Sequence, residues 1–338
     1  FISIPVYADS GFVILSPLNR AITKKSGLSL ACTAIALSLG LTITHCLVPP
    51  TPGPVAATAI LGADLGLVIL IGLIISVFVA AESYFFVTRY AAQTYIDPDP
   101  NGEITVEEDN SKDAPSAVRS FMPVVIPLVL IVLKSVSDFP RAPFGEGATA
   151  DVLDFIGEPV IALLIGMVLS FFLPKKFERE LLSTTGWVGK SLTSAAVIIM
   201  ITAAGGSFGM VLRNSGIADI LGESLAGANF GIWLPFVIAA ALKSSQGSST
   251  VAIVTTASLI APMMDVLGFM TPIAKAFAVM SLCSGAMVMS HVNDSFFWVV
   301  SQLSSMNVKT GFKFHGLGTL LAGLTAMIIV WIGYMIFC

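Results

Sequence analysis

Charge is scarce in this chain. Of 338 residues, 17 are Lys or Arg and 21 are Asp or Glu, 11% in all, against about 25% in soluble domains. With 55% of its residues hydrophobic, the chain does not have the polar surface that one large soluble core would need. No basic stripe accompanies the net charge of −4, which argues against a nucleic-acid partner. Cysteine is nearly absent. Cys32, Cys46, Cys283 and Cys338 form no C-x-x-C pair, so they read as small apolar residues in helices rather than redox or metal groups. There is no H-E-x-x-H, the spacing that marks zinc hydrolases. A ring of basic residues suited to a passive anion pore is missing too. The alternation of a membrane β-barrel is not found, and no signal-peptide pattern opens the chain.

What the chain has is apolar runs about 20 residues long, the length that spans a bilayer as a helix. The reading is an all-α polytopic membrane protein. Against that background the stretch Ser290-His291-Val292-Asn293-Asp294 stands out, because it follows the apolar run Ile273 to Met289 and precedes another, Phe296 to Leu303. Ionisable groups at membrane depth are expensive and mark a binding site or a pathway by default. An earlier stretch echoes it. Leu28 to Leu47 carries Thr44-His45 and runs into Pro49-Pro50-Thr51-Pro52-Gly53-Pro54, then Val55 onward to Leu61. Prolines without an N–H donor must break the helix. Two interrupted helices in corresponding halves are the best sequence pointer to a transporter's substrate site.

Taken in order, Val6 to Ile22 is short for a span and is expected as one arm of a re-entrant hairpin. Leu65 to Tyr90 is a span carrying Glu82. Phe121 to Val136 and Phe155 to Leu173 are spans, as is Ser191 to Val211 with Gly205-Gly206; Gly216 to Ala226 reads as an amphipathic surface helix. Phe230 to Ala241 and Thr250 to Ala261 are two short apolar arms joined by the polar joint from Lys243 to Ser249, which fits the tip of a second hairpin. Leu317 to Phe337 is the last span. Placing Lys24 and Lys25 in the cytoplasm puts Arg89, Lys112, Arg119, Lys175, Lys176, Arg179, Lys190, Lys309 and Lys313 on the same side, and Arg141 and Arg213 opposite, as the positive-inside rule expects.

Arm, broken helix and span recur in that order twice and in opposite orientation, so the chain is expected to hold inverted repeats. Residues 1–95 form the first repeat, 96–118 a hydrophilic cytoplasmic linker with turn chemistry and charge, and 119–338 the second repeat. By the same symmetry the first repeat wants a further hairpin arm before it, about 100 residues in all.

The polar groups suit an anionic ligand. Helix ends exposed at a break offer free N–H groups and partial positive charge. The candidate substrate-binding residues are Thr44, His45, Thr51 and Gly53 at the first break, Ser245, Gln246, Gly247, Ser248, Ser249 and Thr250 at the hairpin tip, and Ser290, His291, Asn293 and Asp294 at the second break. Asn293 and Asp294 serve equally as helix caps. His45 and His291 are candidate proton carriers, as is Asp9, since a carboxyl held from water can take up a proton near neutral pH. Lys243 is a weaker candidate anion contact.

On Gly11-Phe12-Val13, Thr44-His45 through Pro54, Ser249-Thr250-Val251-Ala252 and Ser290 to Asp294 with Phe297-Trp298, the chain resembles the GntP-type gluconate permease family of the ion transporter superfamily over essentially its whole length. The resemblance implies a proton symporter importing gluconate or a related sugar acid, or in some members D-serine, across the bacterial inner membrane. It implies a missing N-terminal portion as well, and a homodimer by family analogy. Asp9 stands where the family usually has Glu, Thr51 where it has His, and Cys46-Leu47 where it often has Gly-Phe. The expected function is secondary active transport, not catalysis, with no cofactor or metal; the partners are a small carboxylate, the coupling proton and the lipid bilayer. Sodium coupling and a D-serine or other hydroxy- or amino-carboxylate substrate stay open. An intramembrane hydrolase built on His45, His291 and Asp294, with a metal or with Ser290, is the remote alternative.

Overall fold

The computed structural model describes residues 8–100, 116–137, 147–174, 179–186 and 230–338, with isolated positions between 188 and 200. Among the described residues the regular structure is helical, with no strand. The first set comprises α1 (Ala8–Ser26), α2 (Leu30–Leu47), α3 (Pro52–Leu61) and α4 (Leu65–Arg89). α5 (Ala117–Ser137), α6 (Ala148–Gly157) and α7 (Pro159–Ser170) follow. The final set is α8 (Trp233–Gln246), α9 (Ser249–Ile260), α10 (Pro272–Gly285), α11 (Ser295–Leu303) and α12 (Leu317–Phe337). A short turn at Val308–Gly311 and a π turn at Phe312–Gly316 lead into α12.

Local chemistry sets these boundaries. Ser29 caps α2 by accepting from the Ala31 N–H at 3.1 Å. Asp64 caps α4 through the Leu67 N–H at 2.7 Å, and Thr271 caps α10 through the Ala274 N–H at 3.1 Å. Each side chain satisfies one of the donors that a helix start leaves without an internal partner. Pro52 and Pro272 sit in the first turn, where a missing N–H costs nothing. Gly62 ends α3 in the left-handed region, φ 60°, where glycine carries no Cβ penalty.

Both expected helix interruptions are present. α2 and α3 are separated at 48–51, α10 and α11 at 286–294. The two expected hairpin arms of the second half are α8 and α9, packed on each other. The Val6–Ile22 arm runs on as α1 to Ser26. One reading needs correction. Phe155 to Leu173 is not a single straight span: α6 and α7 meet at Glu158–Pro159 and bend by 64°. Pro159 cannot donate to the preceding turn, so it starts a new helix. The expected span Ser191–Val211, the surface helix Gly216–Ala226 and most of the 96–118 linker lie outside the described residues.

Among the described residues, three helical stretches are long and apolar enough to cross a bilayer: Leu30–Leu61, Leu65–Gln93 and Val308–Phe337, or four with the bent α6–α7 pair. α10 is wrapped by α8, α12 and α4, and α2 packs along α4. Close approach explains a glycine in the last pairing, since a Cβ on Gly72 would collide with the Leu47 carbonyl. α9 lies against α3, while α1 lies against α11. α9 and α1 therefore each pack on the second half of the other set's broken helix.

Three basic side chains tie one end of the bundle together. Arg20 donates from Nε and Nη2 to the Leu303 carbonyl (3.0 and 2.7 Å) and from Nη1 to the Pro98 carbonyl (2.9 Å). Lys24 pairs with Asp99 at 2.6 Å. Lys313 lies over the Tyr90 ring, 5.2 Å from its centroid.

Candidate functional site

The α8–α9 tip turns on Gly247. Its φ of +88° is open to glycine, and a Cβ there would run into the Asn293 carbonyl. The Gln246 amide closes the tip, donating to the Ser248 carbonyl at 2.7 Å and accepting from the Ser248 N–H at 3.0 Å. Ser248 then caps α9 through the Val251 N–H at 3.3 Å. From the other side, Asn293 Nδ2 and His291 Nε2 both donate to the Ser244 carbonyl, at 2.8 and 3.0 Å. The hairpin tip is thus stitched to the break between α10 and α11.

Where they meet lies a cavity of about 330 Å³, in the size range of small-ligand sites, roughly 300–1,000 Å³. Its wall includes Asp9, Thr42, His45, Lys243, Gln246 to Val251, Ser290 and Asn293 to Phe296. The first turns of α9 and α11 open on it, so backbone N–H groups and two helix dipoles favour an anion there.

The charged centre is Lys243 and Asp294. Lys243 Nζ stands 2.6 Å from Asp294 Oδ2, with side chains 3% and 8% exposed. Lys243 donates also to the Gly247 carbonyl. Asp294 has two further partners. Its Oδ1 caps α11 through the Phe296 N–H at 3.0 Å, and its Oδ2 accepts from Ser290 Oγ at 2.5 Å. Ser290 Oγ is 3.0 Å from His315 Nε2, and His315 Nδ1 is 3.2 Å from Ser38 Oγ. His315 reaches this position from the π turn, a local widening of the helix that recurs at functional sites.

Of the residues expected from sequence, His45, Gln246, Gly247, Ser248, Ser249, Thr250, Ser290, Asn293, Asp294 and Asp9 line the cavity. His45 Nε2 meets Thr250 Oγ1 at 3.3 Å, joining the first broken helix to the second hairpin. Asp9 accepts from Ser295 Oγ at 3.0 Å. Thr44, Thr51, Gly53, Ser245 and His291 are not in its wall. The hydroxyls of Thr44, Thr51 and Ser245 turn back to the carbonyls of Gly40, Val48 and Leu242. Gly53 faces Ile253, packing α3 on α9. Lys243 proves central, and His315, Ser38 and Thr42 were not singled out by sequence. For His315 a signal existed: it is the third His of the chain, placed like the others at the edge of an apolar run.

The family described as GntP family permease matches residues 1–336. The chain is 33% identical over 319 residues to a gluconate permease of Pseudomonas aeruginosa, covering 92% of this chain and 69% of that protein. It is 34% identical over 344 residues to the inner membrane permease YgbN of Escherichia coli, covering 98% and 74%. It is 29% identical over 327 residues to the D-serine transporter DsdX of Escherichia coli O6:H1, covering 96% and 72%. The chain spans about two thirds of the length of the curated relatives it matches, 64% in one case. No solved structure matches it. The family and these relatives are permeases rather than enzymes. With its long apolar helices and its inner-membrane relative, this is a multi-pass inner-membrane chain, and it belongs to the GntP permease family.

Proposed function

We propose that the protein is a secondary active transporter that imports gluconate or a related sugar acid together with protons. The observation that carries this reading is the cavity itself. Hydroxyls, an amide, two helix starts and Lys243 converge on a space sized for a small acid, at the meeting point of a hairpin tip, the break between α10 and α11 and the last turns of α2. Such a site serves a carboxylate at one end and hydroxyl groups at the other. The gluconate permease relative supports the substrate class; the DsdX relative supports D-serine or another small hydroxy- or amino-carboxylate as the second reading.

The reciprocal packing of α9 on α3 and α1 on α11 supports inverted repeats, with residues 1–95 in one and 119–338 in the other. Alternating access then follows from movement of the hairpin-bearing elements against the α4 and α12 scaffold. The end bearing Arg20, Lys24 and Lys313 is the cytoplasmic one by this reading. Asp9 and His45 at the cavity wall and His291 beside it are the sequence's candidates for the coupling proton. A hydrolytic reading fits less well. In a serine triad the carboxylate holds the imidazole, whereas here Asp294 bonds the Ser290 hydroxyl directly.

Uptake of labelled gluconate by the full-length protein in proteoliposomes tests the proposal, with glycerate and D-serine as competitors. Block by sugar acids alone supports the sugar-acid reading. Transport of D-serine without gluconate uptake moves the substrate to amino acids, and transport of neither defeats both.

A further inference from the structure

The cavity contains a conflict that suggests how anion and proton are coupled. Among the described residues of its wall, Lys243 is the one Lys or Arg, and Asp294 already occupies it. Both charges are buried, where an ion left without its partner is strongly disfavoured. Asp9 adds a second carboxyl to the same wall. With both carboxyls ionised and His neutral, these side chains sum to one negative charge, so an arriving carboxylate meets a site whose only cation is taken.

We infer that Lys243 and Asp294 form a proton-gated carboxylate clamp: the substrate carboxylate takes Asp294's place on Lys243 as Asp294 accepts the coupling proton. This rests on the proposed transport of an organic acid. The exchange conserves charge inside the cavity, since one anion and one proton enter together.

The residues behind Asp294 suit both of its states. With Asp294 ionised, Ser290 Oγ–H donates to Oδ2, His315 Nε2–H donates to Ser290 Oγ, and Nδ1 accepts from the Ser38 hydroxyl. On proton entry, Ser290 passes its proton to Asp294 Oδ2 and receives the one on His315 Nε2, Nδ1 takes the proton of the Ser38 hydroxyl, and Ser38 Oγ takes up the incoming proton. The imidazole ends neutral, as its other tautomer. The bonds then run in reverse, from Asp294 to Ser290, from Ser290 to Nε2 and from Nδ1 to Ser38 Oγ. Ser38 in turn donates to the Ile35 carbonyl, 3.0 Å away. No heavy atom of Ser290, His315 or Ser38 has to move.

The other titratable groups around the pair are differently placed. Asp9 on α1 bonds Ser295, His45 on α2 meets Thr250, and His291 is turned to the Ser244 carbonyl. Cys46 on α2 is a buried thiol. None of them bonds Lys243, so none competes directly with the substrate for it.

Calorimetry of gluconate binding to the purified full-length protein, in buffers of different ionisation enthalpy, counts protons taken up per ligand. The wild type is expected to take up about one, with Kd rising about tenfold per pH unit in the coupled range. Asp294→Asn keeps a side chain that caps α11 and frees Lys243; it is expected to bind gluconate with no proton uptake and a flat pH profile. His315→Gln is a positioning test, expected to retain one proton per ligand at equilibrium while slowing proton-driven uptake at least tenfold relative to gluconate exchange. Proton uptake by Asp294→Asn equal to that of the wild type overturns the clamp and leaves the transporter reading intact. A folded Asp294→Asn protein that has lost gluconate binding likewise overturns it. No binding of gluconate or D-serine by the wild type brings down the transporter reading, and the clamp with it.

Discussion

Lys243 and Asp294 lie 51 positions apart in sequence and 2.6 Å apart in space, one closing the first arm of a hairpin and the other opening the second half of a broken helix. A single ion pair therefore ties the hairpin tip to the helix break, and any movement of one element against the other must stretch or exchange it.

Removing the cation alone should be costly. Lys243→Gln leaves Asp294 buried beside Ser290 without its counter-charge, for which roughly 3–5 kcal/mol of destabilisation is typical. Thermal unfolding in detergent should show a clear drop in Tm. The double variant Lys243→Gln with Asp294→Asn should recover most of it, because no unpaired charge remains, yet should bind gluconate no better than Lys243→Gln.

Gly247→Ala tests the close approach of tip and break. The added Cβ meets the Asn293 carbonyl at a φ of +88°, so the tip must withdraw or the turn must refold. Uptake should fall at least tenfold, while Gly268→Ala, also at positive φ but with open space around its Cβ, should leave transport within about twofold despite a backbone cost of order 1 kcal/mol.

Asp9→Asn separates two carboxyls of one cavity. Removing a negative charge beside the site should strengthen gluconate binding by a few-fold, as a like charge withdrawn from the wall. The dependence of Kd on pH should keep its wild-type slope, since Lys243 and Asp294 are untouched. A flat profile in Asp9→Asn would move the coupling proton from Asp294 to Asp9.

At the basic end, Arg20 holds α1 to the last turn of α11 by a forked contact with the Leu303 carbonyl. Charge-assisted bonds of this kind contribute about 1.5–3 kcal/mol. Arg20→Ala should lower Tm accordingly, and Arg20→Lys should restore little, because one ammonium does not reproduce the planar fork.

Much of this architecture was legible before any coordinates. The apolar runs and the prolines of 49–54 placed α2, α3, α4 and α12 within a few residues, because helix breaking by proline is a local property. The polar joint 243–249 between two short apolar arms marked the hairpin for the same reason. The break at Pro159 was passed over, since a lone proline in an apolar run is tolerated in many membrane helices. At the site, the polar clusters 246–250 and 290–294 were visible as anomalies in apolar sequence. The pairing of Lys243 with Asp294 was not, because burial of an ion pair depends on which distant segments meet. His315 was missed because a π turn, invisible in composition, is what brings it to Ser290. Thr44 and Thr51 were expected at the site from their place at the first helix break, whereas a hydroxyl there can equally bond the preceding turn, as both do here.

The central claim is that an organic acid and a proton cross together. The most direct measurement loads proteoliposomes with a luminal pH dye, sets pH equal on both sides, clamps the membrane potential at zero and adds gluconate outside. The account requires the lumen to acidify as gluconate enters, in a ratio of about one proton per anion. Gluconate entry at constant luminal pH would contradict it.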